Sequence, residues 1–298
     1  MALPTILVTG ARGQVGFELQ RSLAMLGKVM AVGREDCDLA DADVIDALLE
    51  RVRPDIIVNP AAYTAVDKAQ SEPALAQAIN ATAPALLGAW AARHGALLVH
   101  YSTDYVFDGA KDGCYTEDDT PNPQSVYGQT KLAGEEAIRG SGCRHLILRT
   151  SWVFGAHGGN FLKTVLRLAR ERDHLSIVAD QHGAPTPASL IADVTAQILR
   201  QYALIPQGFP FGTYHLVAEG DTTWHGYAQA VLEAAIDRGW QFKLPGHAIT
   251  PIPTSAYPLP APRPANSRLS THKLQAAFNL TLPHWRDGVA QVLTLLHP

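Results

Sequence analysis

The sequence predicts an α/β fold, a doubly wound parallel sheet with further structure after a proline-rich segment, on three observations. Short runs that are apolar throughout alternate with helix-length segments from residue 5 to about residue 237, the pattern of strands covered by helices on both faces. The first such run opens directly into a glycine-rich turn and then a helical segment, the signature of a βα unit. Near Thr250 the composition shifts: Pro251, Pro253, Pro258, Pro260, Pro262 and Pro264 crowd together before helix-like sequence resumes, so an ordered loop over the surface or a site wall is expected there. At 298 residues the chain can bury one large core or two smaller ones.

Thr5–Thr9 reads as the first strand, ending at Gly10-Ala11-Arg12-Gly13-Gln14-Val15-Gly16, with a helix from Phe17 to Leu26 and Gly27 as its C-cap. Gly10 permits the tight turn, Gly13 lets the backbone approach a pyrophosphate, and Gly16 allows close helix–strand packing. The amides at the helix start would face phosphates. The spacing is Gly-x-x-Gly-x-x-Gly, and its position after the first strand gives a Rossmann-type dinucleotide turn. Lys28–Val32 is the second strand, followed by a helix from Asp43 to Val52 and a third strand at Asp55–Val58. An alanine-rich helix from Pro73 to His94 precedes the fourth strand, Ala96–Tyr101, and His145–Arg149 is the fifth. Alternation continues with a helix from Phe161 to Arg172, a strand at Leu175–Val178 and a helix from Leu190 to Tyr202. A strand at Tyr214–Val217 and a helix from Tyr227 to Asp237 follow.

Composition narrows the partners. A net charge of -4 argues against broad attraction to nucleic acid or an anionic membrane. No apolar run reaches the roughly 18 residues of a membrane span. Met1-Ala2-Leu3-Pro4 runs into a strand with no basic stretch or cleavage site, so no export signal is expected. Three scattered cysteines, Cys37, Cys114 and Cys143, form no disulfide framework and suit a reducing cytoplasm. The histidines show no His-Glu-x-x-His and no paired Cys/His spacing, so no metal ligands are assigned.

Chemistry enters at Ser125-Val126-Tyr127-Gly128-Gln129-Thr130-Lys131, after the turn-forming Thr120-Pro121-Asn122-Pro123. Tyr127 and Lys131 stand four apart, on one face of the helix that follows. A free tyrosine has a pKa of about 10; a nearby cation favours its phenolate and is expected to pull that value down. In an open parallel sheet, ligands bind at the carboxyl ends of the strands. The fourth strand ends at Tyr101-Ser102-Thr103-Asp104 and the fifth at Thr150-Ser151-Trp152, so the Thr103 hydroxyl could share a substrate carbonyl oxygen with Tyr127. Arg12 and Arg34 lie where a ribose 2′-phosphate would sit and favour NADPH, while Glu35, Asp36 and Asp38 keep NADH open.

This combination resembles the extended short-chain dehydrogenases/reductases over the whole chain. Val58-Asn59-Pro60-Ala61-Ala62-Tyr63-Thr64-Ala65-Val66-Asp67, His100-Tyr101-Ser102-Thr103-Asp104-Tyr105-Val106-Phe107-Asp108-Gly109, Arg149-Thr150-Ser151-Trp152-Val153, Asp180-Gln181-His182-Gly183-Ala184-Pro185-Thr186 and Arg263-Pro264-Ala265-Asn266-Ser267-Arg268-Leu269 narrow it to the dTDP-4-dehydrorhamnose reductase family. That resemblance implies reduction of the 4-keto group of a dTDP-6-deoxy-hexulose by a nicotinamide cofactor, and a smaller C-terminal substrate-binding lobe. It implies Tyr127 as proton donor, Lys131 on the nicotinamide ribose and Thr103 on the substrate carbonyl. Asp104 and Trp152 would contact the sugar, and Asn266 and Arg268 the nucleotide diphosphate. The cofactor would lie along Gly10, Arg12, Gly13, Gln14, Val15, Gly16, Arg34, Asp38, Leu39, Ala62, Tyr63, Thr64 and Tyr101, with Tyr127 and Lys131. The expected division is a cofactor domain over 1–150, with elements from about 189–217, and a sugar-nucleotide lobe over 151–188 and 218–298. A homodimer is compatible with the family, as is a magnesium ion at a subunit contact, for which no ligands are assigned. Two alternatives share the fold: a nucleotide-sugar epimerase or dehydratase, and a non-catalytic regulatory subunit. Dehydratases typically follow the threonine with Asp-Glu; here Asp104 is followed by Tyr105.

Overall fold

A computed structural model describes residues 3–245 and 248–296. Its first half runs β1 (Thr5–Val8), α1 (Gln14–Leu23), β2 (Lys28–Ala31), α2 (Ala42–Val52), β3 (Ile56–Asn59), α3 (Val66–Ser71), α4 (Pro73–Gln77), α5 (Ala83–His94), β4 (Leu97–Thr103), α6 (Val126–Gly140) and β5 (Arg144–Thr150). There follow β6 (Val153–Phe154), α7 (Phe161–Glu171), β7 (Leu175–Val178), β8 (His182–Gly183), β9 (Thr186–Pro187), α8 (Ala188–Leu204) and β10 (Gly212–His215). The chain closes with β11 (Thr222–Thr223), α9 (Trp224–Ile236), β12 (Ile249–Ile252), β13 (Asn266–Ser267), α10 (His272–Phe278) and α11 (Trp285–Leu295).

Six strands form one sheet in the order β10-β5-β4-β3-β1-β2, every neighbouring pair parallel. Alternation along each strand splits its side chains between two cores. Ile6, Val8, Val58, Val99 and Leu148 face α1 and α8 on one side, and Leu7, Ile57, Leu98 and Ile147 face α2, α5 and α6 on the other. This is the Rossmann-type doubly wound arrangement. The chain leaves β1 for β2 on one side and returns to β3 on the other, which opens a crevice at the carboxyl ends of β1 and β3.

Another hydrophobic cluster lies outside the sheet, built from Leu162, Val165 and Leu166 of α7, Val231 of α9, and Trp285, Val289 and Val292 of α11. Leu190 packs against both this cluster and the α1–α8 side of the sheet. Small strand pairs (β7 with β12, β6 with β9, and β8 between β11 and β13) tie the segments around that cluster.

Several expectations shift. Helix α1 ends on Ala24 rather than Gly27; a Cβ on Gly27 would lie 2.2 Å from the Pro4 carbonyl oxygen, so this glycine serves a close chain crossing instead. The long alanine-rich helix opens into a π turn at Ala78–Thr82. Pro84 has no N–H for the carbonyl of Asn80, which is why the ladder widens there. α3 was not foreseen. Strand β2 ends at Ala31, leaving Gly33 and Arg34 in a loop, and β10 lies two residues earlier than expected, with Leu216 and Val217 buried beyond it. Pro251 joins a regular strand, opposite Ile177 in a two-stranded pair whose outer edge tolerates a missing N–H. α10 returns to the large sheet, where Leu274 and Phe278 join its core.

Candidate active site

The glycine turn after β1 shapes the floor of a cleft of about 620 Å³, a size that suits a small-molecule cofactor. Gly10 adopts a left-handed φ of +60°, and a Cβ on Gly16 would lie 2.1 Å from the Gly10 carbonyl oxygen. Only glycine permits that approach, so helix and turn close together. No side chain caps the start of α1, which leaves its first N–H groups for an anion. Cradle and volume both fit a dinucleotide.

Gly10, Arg12, Gly13, Gln14, Val15, Gly16, Arg34, Asp38, Leu39, Ala62, Tyr63, Thr64, Tyr101, Tyr127 and Lys131 all line this cleft. The two candidate 2′-phosphate cations are paired: Arg12 with Glu35, and Arg34 with Asp38 at 3.4 Å. Both arginines are mostly exposed, and exposed pairs of this kind contribute roughly 0–1 kcal/mol, so an incoming phosphate can displace the carboxylates at little cost.

At the other end, Ser125 caps α6 by accepting from the Gly128 N–H at 3.2 Å. A Cβ on Gly128 would lie 2.2 Å from the Tyr105 carbonyl oxygen, so the first turn of α6 is pressed against the backbone that follows β4. That contact sets Tyr127 beside Thr103 and Asp104. Burial pushes the Tyr127 phenol up to about 12, with the nearby Thr103 hydroxyl working downward and Asp104 upward. The expected downward shift is therefore not what this structure shows, because desolvation of the phenolate outweighs the rest. Lys131, lowered to about 8 by burial, with Glu135 opposing, directs its Nζ to the Tyr101 carbonyl at 2.6 Å and to His100 Nε2 at 3.1 Å.

Thr103 donates to Asp104 Oδ1 at 3.0 Å. Asp104 is buried, its other oxygen has no partner, and burial raises its pKa to about 6, with the nearby Ser267 and Thr103 hydroxyls working downward. Thr103, Asp104, Tyr127 and Ser267 thus form one group. The Asn266 amide is taken up by the carbonyls of Lys111 and Gly113, both at 2.7 Å, and its oxygen accepts from Arg268 N and Nε. Trp152 makes its contacts elsewhere. It has a left-handed φ of 48° and is stacked on Trp224 at 3.6 Å, with Gly183 leaving room for its ring.

Sequence reasoning passed over several buried polar side chains. Glu135 takes a two-pronged bond from Arg149, at 2.8 and 2.6 Å, fastening α6 to β5. Asn80, in the π turn, holds the Tyr63 backbone through both its N–H and its carbonyl. Pro84 was the visible signal for that turn. Nothing local marks Glu135 and Arg149 as partners. No group of three His, Cys, Asp or Glu side chains able to hold a metal ion occurs among the described residues. Nor is any described helix long and apolar enough to cross a membrane.

A phenol and an ammonium beside a glycine-floored cleft, on a doubly wound sheet, place the chain among the short-chain dehydrogenases/reductases. A family model described as the RmlD substrate binding domain matches residues 4–297. The dTDP-4-dehydrorhamnose reductase of Salmonella typhimurium is 50% identical over 97% of each chain, and that of Escherichia coli K12 is 49% identical over 98% of this chain and 97% of its own. The crystal structure of the Bacillus anthracis dTDP-4-dehydrorhamnose reductase in complex with NADP is 32% identical and superposes with a TM-score of 0.88, covering 99% of this chain and 100% of that one. The chain belongs to the dTDP-4-dehydrorhamnose reductase family.

Proposed function

We propose that this protein uses NADPH to reduce the 4-keto group of dTDP-4-dehydro-6-deoxy-L-mannose (dTDP-4-dehydrorhamnose), giving dTDP-L-rhamnose, and that it does so in the cytoplasm. One observation carries the reading: the cleft floored by Gly10–Gly16 is lined at its other end by Tyr127 and Lys131, in a chain half identical to such a reductase over nearly its full length. The NADP complex of the Bacillus anthracis relative, with Arg12 and Arg34 on the cleft, supports NADPH over NADH. The sugar nucleotide is assigned to the lobe formed by 151–188 and 218–298, less the part of α10 that returns to the sheet.

When bound, the nicotinamide supplies hydride to the carbonyl carbon. The Gly10–Gly16 turn and the start of α1 would hold its pyrophosphate, and Lys131 would hold its ribose. A pKa of about 12 keeps Tyr127 fully protonated at neutral pH, so the phenol is ready to hand its proton to the C4 oxygen as charge builds there. The Thr103 hydroxyl turns from Asp104 to the same oxygen, sharing its negative charge. The charge left on Tyr127 is then stabilised by the Lys131 ammonium nearby. Incubation with NADPH and the 4-keto sugar nucleotide should consume one NADPH per dTDP-L-rhamnose formed. Sugar conversion without net NADPH use would instead make it an epimerase, and no conversion at all would favour the regulatory subunit.

A further inference from the structure

Lys131 is braced from behind by a file of buried polar side chains. Its Nζ meets the Tyr101 carbonyl and His100 Nε2, both from β4. His100 has no exposed surface, and its Nδ1 lies 3.1 Å from the Asn59 amide of β3, which in turn lies 2.5 Å from Thr9 Oγ1. Thr9 and Lys131 both line the cleft. The file Thr9–Asn59–His100–Lys131 therefore leaves the cleft at the foot of the glycine turn and rejoins it beside Tyr127.

The proton inventory orients the file. An ammonium only donates, so His100 Nε2 must accept and the ring hydrogen sits on Nδ1. In the structure the Asn59 amide nitrogen faces His100 Nδ1 and its oxygen accepts from Thr9 Oγ1; a ring hydrogen on Nδ1 requires the two ends of that amide to be exchanged, which their like shape allows. With two of its three N–H bonds fixed by Tyr101 and His100, Lys131 has one left for the cleft. We propose that His100 is a positioning residue for reduction: as a neutral acceptor it keeps Lys131 charged and aims its remaining N–H at the cleft. This rests on the reductase reading for its consequence in catalysis, though not for its effect on the lysine.

Other groups act on the same ammonium. Glu135, one turn further along α6, favours it and is itself tied to Arg149 of β5; Tyr127 lies one turn before it. β1 and β3 contribute Thr9 and Asn59, both neutral. His100 is held well below its ordinary pKa by burial and by Lys131, so it stays an acceptor at neutral pH.

Three measurements test this. In wild-type protein, ¹⁵N NMR of His100 should place the ring hydrogen on Nδ1; a hydrogen on Nε2 would overturn the proposal, since that nitrogen could not accept from Lys131. The Lys131 Cε signal of ¹³C-lysine protein, assigned by its loss in Lys131→Met, should titrate near 8 without ligand. In His100→Phe it should titrate about one pH unit or more lower, a tenfold loss of ammonium above both values, and His100→Gln should restore most of it. The alkaline limb of kcat/KM for NADPH oxidation should move by the same amount. An unchanged lysine titration in folded His100→Phe, or a shift that Gln does not restore, overturns the proposal. A wild type that titrates as expected yet turns over no sugar nucleotide overturns the reductase reading alone.

Discussion

Tyr127, Lys131 and Asp104 each lose water on folding, and each moves in the direction that disfavours charge. For Tyr127 the result suits a proton donor, since a phenol at about 12 is never spent before the substrate arrives. Asp104 shows the cost of building such a site. Its folded pKa of about 6 lies above the ordinary 3.8, so between those values the folded state binds the extra proton. Stability therefore falls as pH rises through that window and stays lower above about 6. Asp104→Asn removes the buried charge and should raise unfolding stability by up to about 3 kcal/mol at neutral pH, with much less gain near pH 4. Urea titrations of both proteins at the two pH values check this, and an equal change at both would contradict it. Asp104 could be picked out in the sequence by its place after Thr103; its missing partner depends on tertiary burial and could not.

Between elements, the decisive contacts join residues that no local pattern connects. The Tyr127/Lys131 pair was legible because helical spacing alone puts both on one face. The bond that holds their helix to β5 was not, because Glu135 and Arg149 meet only once α6 lies across the sheet. Both are nearly fully buried. Arg149→Met should leave the buried Glu135 carboxylate only the partly exposed Arg139, 3.0 Å away, and destabilise the fold by up to about 3–5 kcal/mol, read as a lower urea midpoint; a change under about 1 kcal/mol would show that Arg139 suffices. In the loop after β2, Arg34 was legible as a candidate phosphate contact, whereas its pairing with Asp38 needed the folded loop. Arg34→Ala should raise the KM for NADPH roughly tenfold or more, the worth of a charge-assisted hydrogen bond, and leave that for NADH nearly unchanged. Equal effects on both cofactors would remove Arg34 from the 2′-phosphate site.

For the molecule as a whole, apolar strands alternating with helices announced the doubly wound sheet, because parallel strands buried on both faces leave a continuous apolar run in the sequence. Other features were hidden for physical reasons. α10 leaves the lobe for the sheet because Leu274 and Phe278 find their partners on α8 and β10, and sequence distance says nothing of that. Trp152 has a left-handed backbone, which an aromatic side chain rarely adopts, and pattern reading assigns no residue there in advance. Its indole is stacked on that of Trp224. What the sheet accomplishes is to bring the glycine turn after β1 and the phenol on α6 to the same cleft, although more than a hundred residues separate them. The most direct test of that arrangement is NADPH oxidation with dTDP-4-dehydrorhamnose by wild type and Tyr127→Phe, with NADPH binding measured alongside. A loss of about 10²–10⁴ in kcat with unchanged NADPH affinity is the outcome predicted for a missing proton donor; turnover persisting at the wild-type rate in Tyr127→Phe would contradict it.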